Sequence, residues 1–94
     1  MTKAIVQHHV ADYDRWYPVF TEHEAVRRRH GATAHSINRE VADPNTIVIV
    51  NDFATLEGAQ AFAKDPSLAD AMQRGGVDKT PQAWIVDEAE AKRY

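Results

Sequence analysis

From Lys3 to Val10 the side chains alternate, with Ala4, Val6, His8 and Val10 on one side and Ile5, Gln7 and His9 on the other. That is the period of a β-strand. The period then changes. Trp16, Val19, Phe20, His23, Val26, Arg27 and His30 recur at three- and four-residue spacing and predict one helix running to about His30. Asp12 offers an N-cap, with Arg15 at the capping-box position. Pro18 requires the helix to begin late, near Tyr17, or to have an irregular first turn. Arg27, Arg28, Arg29 and His30 suit the negative end of a helix dipole, and Gly31 stops it. Ala32 to Glu40 predicts a second strand, Ala42-Asp43-Pro44-Asn45 a turn, and Thr46 to Phe53 a third strand antiparallel to the second. Thr55 caps a further helix carrying Leu56, Ala59, Phe62 and Ala63 on one side. Asp65-Pro66 interrupts it. Ser67 then caps a short helix with Leu68, Ala71 and Met72 inward, ended by Gly75-Gly76. Pro81 to Asp87 predicts the last strand, and the charged tail from about Glu88 is expected to be exposed.

This order is β-α-β-β-α-β, a ferredoxin-like α+β fold, expected as one domain over residues 1–94. Right-handed crossovers place both helical segments on one face of a four-stranded antiparallel sheet. Two strands nevertheless carry apolar side chains on both faces: Ile47-Val48-Ile49-Val50 and Ala83-Trp84-Ile85-Val86. A strand with one wet face alternates, whereas a doubly buried one reads as a continuous apolar run. The chain has nothing left to cover the far face, and a second copy would. The expected assembly is a homodimer through the sheet face, a dimeric α+β barrel. At ~25 cal/mol per Å², about 500 Å² of apolar area per chain offers about 12 kcal/mol before association costs.

Composition narrows the function. A formal net charge of −3 gives no general attraction to nucleic acid or anionic membranes. No cysteine is present, which excludes disulfides, thiolate nucleophiles and Cys-ligated metal centres. No window approaches the ~20 apolar residues of a membrane span, and no N-terminal signal is visible, so a cytoplasmic protein without membrane or nucleic-acid partners is expected.

All five histidines precede residue 36. His8 shares a strand face with Val6 and Val10, and His23 lies on the helix stripe between Phe20 and Val26, so the two imidazoles are expected to converge beside Trp16 as candidate acid–base groups. Hydrogen-bonded core histidines are the bland alternative. Trp16, Phe20 and Trp84 are candidate pocket walls, although a filled core is the first reading of such aromatics, and Arg27 is placed to reach a ligand carboxylate or Asp12. His9 is expected to make an interfacial hydrogen bond, His30 to compensate a helix dipole, and the face of His35 is open. No HxxxH or HxH pair occurs, so no metal is expected. Neither a phosphate-binding loop nor a nucleophile elbow is present.

The stretch His8-His9-Val10-Ala11-Asp12-Tyr13-Asp14-Arg15-Trp16, the Ala42–Asn45 turn, Asn51-Asp52-Phe53 and Ala61-Phe62-Ala63-Lys64-Asp65-Pro66-Ser67-Leu68 resemble the dimeric α+β barrel superfamily. That group includes antibiotic-biosynthesis-monooxygenase-like and small polyketide-cyclase-like proteins, and the likeness runs to about Glu88. It implies a pocket between the helices and the sheet in each subunit. Two departures narrow it. Asp65-Pro66-Ser67-Leu68-Ala69-Asp70 has no histidine where plant-type cyclases carry their second one, and no histidine follows His35, where haem-degrading members carry their iron ligand. Trp16, Tyr17, Trp84 and Asn51 supply the residue types of the cofactor-free monooxygenases without a position-by-position match. The resemblance implies a homodimeric pocket protein, a cofactor-independent monooxygenase-like or cyclase-like enzyme for an aromatic or polyketide-like small molecule. The alternative is a dimer that binds a small ligand without turnover.

Overall fold

The computed structural model describes residues 1–94. Its elements are β1 (Thr2–His9), α1 (Tyr13–Glu22), α2 (Glu24–Arg29), β2 (Ala32–Arg39), β3 (Thr46–Phe53), α3 (Leu56–Ala63), α4 (Pro66–Arg74) and β4 (Gln82–Asp87). The four strands form one antiparallel sheet in the order β2-β3-β1-β4. This is the α+β architecture that the strand and helix periods predict.

The Ile47–Val50 run divides between the two faces. Ile47 and Ile49 are buried beneath the helices with Val10 and Trp16, while Val48 and Val50 are half-buried on the other side. A second cluster joins Ala4 and Phe53 of the sheet to Ala59 and Phe62 of α3. Register places Ile5 opposite Val50 on one flank and Trp84 on the other. Opposed residues share a face, so Ile5, Val48, Val50, Trp84 and Val86 form an apolar strip on the side without helices.

Four local expectations change. The first helix starts at Tyr13, not near Tyr17, with Pro18 inside it. Asp12 accepts from the Asp14 N–H at 3.0 Å and fixes the first turn. Pro18 and Asp14 are both exposed, so water reaches the carbonyl that Pro18 cannot serve. The helix also breaks at His23, because the Phe20 carbonyl accepts from the Arg27 side chain at 2.8 Å and from the His23 N–H at 3.2 Å. Asp65, not Ser67, caps α4: its carboxylate accepts from the Ser67 N–H at 2.9 Å, with Pro66 in the first turn. Leu56 and Ala63 are exposed, and α3 buries only Ala59 and Phe62. Gly31 takes φ +94°, the left-handed turn that passes the chain from α2 into β2. No helix is long and apolar enough to cross a membrane.

Candidate functional site

A cavity of about 230 Å³ lies between α1, α2 and α4 and the helix-facing side of the sheet. His8, Trp16, Phe20, His23, Arg27 and Trp84 all border it. Most of its wall is apolar, which suits the flat body of an aromatic molecule.

Alternation along β1 turns His8 inward, where its ring lies 6.5 Å from that of Trp16. Burial pushes its pKa down to about 4, so the imidazole is neutral at pH 7. Its Nδ1 is buried without a partner.

His23 sits at the α1–α2 break, and its Nε2 lies 2.8 Å from Ser67 Oγ. Ser67 Oγ donates to Asp65 Oδ1 at 2.7 Å, and Asp65 Oδ2 accepts from His30 Nε2 at 2.8 Å. With its proton committed to Asp65, Ser67 receives one from His23, which makes Nε2 the protonated nitrogen. Burial, and then the Arg27 charge, lower the His23 pKa. Hydrogen bonds from His30 and Ser67 hold the Asp65 carboxyl well below the usual carboxylate range.

Arg27 is 3% exposed. Its guanidinium stacks 3.7 Å above the Phe20 ring and donates through Nη1 to the Phe20 carbonyl. Burial lowers its pKa to about 10, so the charge is retained at pH 7. It does not reach Asp12, and its Nη2 has no partner. Phe20 in turn packs on Trp16 at 4.9 Å.

Trp84 meets the cavity differently from the other five. Its register opposite Ile5 puts it on the helix-free face, and it borders the space only along the β4 edge, 48% exposed.

Asn51, which the resemblance offered by residue type without a mapped position, completes the wall. It occupies the buried side of β3 between Ile49 and Phe53, where a polar residue interrupts an apolar face. Its Nδ2 donates to the Ala4 carbonyl at 3.4 Å, and its Oδ1 has no partner.

The remaining histidines lie elsewhere. His9 does not wait for an interface. Its Nδ1 is 2.6 Å from Asp78 and its Nε2 3.4 Å from Asp43, both in the same chain. His30 goes beyond dipole compensation by bonding Asp65. His35 packs edge-on against Phe20 at 5.0 Å. No cluster of three or more His, Asp or Glu side chains is arranged to hold a metal ion.

Neither a protein-family model nor a curated protein matches the chain. Solved structures do. SnoaB, a cofactor-independent oxygenase from Streptomyces nogalater, superposes with a TM-score of 0.78 at 14% identity, over 96% of this chain and 94% of that one. A monooxygenase from the gene ActVA-Orf6 of Streptomyces coelicolor, solved with the ligand nanaomycin D, gives 0.71 at 14% identity over 99% and 91%. A further antibiotic biosynthesis monooxygenase gives 0.72 at 14% identity over 96% and 100%. The chain therefore has the α+β fold of the antibiotic biosynthesis monooxygenases, as the resemblance implied.

Proposed function

We propose that this chain, on the fold of the antibiotic biosynthesis monooxygenases, forms a homodimer that holds an aromatic or polyketide-like small molecule under α1 and α2 and oxidises it without a bound cofactor. One observation carries this reading. The buried side-chain polar atoms without partners are His8 Nδ1, Arg27 Nη2 and Asn51 Oδ1, and all three residues line the same cavity. Buried polar atoms are nearly always satisfied, so three such atoms around one apolar space favour a ligand that supplies their partners.

The chemistry follows from their types. Trp16 and Phe20 hold the ring system. Neutral His8 accepts a proton from an acidic hydroxyl or methylene of the substrate, and His23 is the second proton-handling group. Arg27 stabilises the oxyanion that forms, an interaction strengthened by the low dielectric of the cavity. The ionised substrate is itself the reductant. A methylene gains one oxygen atom from O2 and becomes a carbonyl, the other oxygen leaves as water with the two methylene hydrogens, and the substrate supplies all four electrons. The fold likeness to a cofactor-independent oxygenase supports this assignment.

One observation favours binding without turnover instead: burial weakens both imidazoles as bases. Oxygen uptake with anthrone, whose methylene becomes a carbonyl in anthraquinone, separates the two. The oxidative reading predicts protein-dependent uptake matching quinone formed one to one, abolished in His8→Phe. Saturable anthrone binding without uptake would assign the chain to the binding class.

A further inference from the structure

Arg27 and Asn51 border a second space, a polar cleft of about 450 Å³ between α2 and β2 with Glu24, Arg28, Thr33 and His35 around it. They also line the apolar cavity, so these two side chains form the partition between the spaces. Arg27 is 3% and Asn51 2% exposed, and each carries a polar atom that nothing in the chain satisfies. The Arg27 guanidinium has no ion-pair partner. Glu24, the acid acting on it, is directed to Arg28 at 3.8 Å instead. A buried cation without an anion is costly, and a ligand that brings the anion relieves that cost. The chain as a whole carries −3, so its long-range field does not attract anions. A preference for one must come from this partition.

We infer that the α2–β2 cleft is a second subsite, which takes the carboxylate of an amphipathic aromatic acid whose rings occupy the apolar cavity. The carboxylate accepts from Arg27 Nη2, with Arg28 as a second cation at the cleft. This rests on the ligand-pocket reading above and adds the substrate class.

Calorimetric titration with 2-naphthylacetate and its neutral isostere 2-naphthylacetamide tests it. The acid is expected to bind at least about tenfold tighter, the usual range for a hydrogen bond to a charged group. Arg27→Met should remove the difference, Arg27→Lys should restore part of it, and Arg28→Gln should cost the acid about two- to fivefold. If Arg27→Met does not fold, the two wild-type affinities decide. Equal wild-type affinities, or an acid preference that survives Arg27→Met, would overturn the subsite and leave the aromatic cavity standing. Binding of neither probe would remove both readings.

Discussion

The Arg27 guanidinium lies 3.7 Å above the Phe20 ring and donates 2.8 Å to the carbonyl of that same residue. One side chain thus closes the break between α1 and α2, covers an aromatic wall of the cavity and keeps a positive charge out of water. Replacing buried charges by apolar residues of similar volume is often neutral or stabilising by about 1–4 kcal/mol. Arg27→Met is therefore expected to unfold at the same or a higher denaturant midpoint than wild type. A loss of 3 kcal/mol or more, roughly the cost of breaking a buried ion pair, would mean that Arg27 is retained for structure.

His8 makes stability depend on pH. Its folded pKa is about 4, below the unfolded value of about 6.5. Above pH 6.5 both states are neutral and the contribution is flat. As pH falls from 6.5 towards 4 the unfolded state takes up a proton that the native state refuses, so stability falls. Over that window the loss is about 3 kcal/mol. His8→Phe should flatten most of the slope, leaving a smaller part from His23, whose pKa burial also lowers. An NMR titration in which the His8 ring titrates near 6.5 would contradict this.

Gly58 lies on α3 where a Cβ would run into the backbone carbonyl of His30. Alanine normally gains about 1 kcal/mol over glycine inside a helix. Here α3 would have to move off the α2–β2 turn, so Gly58→Ala is expected to lower stability by about 1–3 kcal/mol, in the range of overpacking changes. A raised melting temperature would show that α3 can shift freely.

The strip formed by Ile5, Val48, Val50, Trp84 and Val86 is the face proposed for the homodimer. β4 is exposed along its whole length in the single chain, including Ile85 and Ala83 on the helix-facing side. A second sheet packed on that strip would bury it. Light scattering at micromolar concentration is expected to give twice the chain mass, and Ile5→Lys, which puts a charge at the strip's centre between Val50 and Trp84, is expected to give the single mass. A single mass for wild type would sink the dimer.

Element order was legible because strand and helix periods are separate signals, and the inward sides of β1 and β3 were legible because each of these two strands buries one face. His8 is inward for that reason, as is Asn51, whose position on the Ile47–Ile49–Phe53 side was readable though its unpaired oxygen was not. The break at His23 was hidden, since Phe20, His23, Val26 and Arg27 stay on one stripe whether the helix bends or not. Trp84 was ambiguous for another reason: Ala83-Trp84-Ile85-Val86 is apolar on both faces, and only register against Ile5 assigns its side. The cap at Asp65 escaped because Asp65, Pro66 and Ser67 are all good helix-start residues.

The central claim is that the space beneath α1 and α2 is the ligand site. A two-dimensional ¹H–¹⁵N NMR titration with 2-naphthol tests it most directly. The expected result is saturable shifts of the Trp16 indole N–H, the Asn51 side-chain amide and the backbone of Phe20 and Arg27. Shifts confined to Ile5, Val48, Val50 and Trp84 on the opposite face, or none up to the solubility limit, would contradict it.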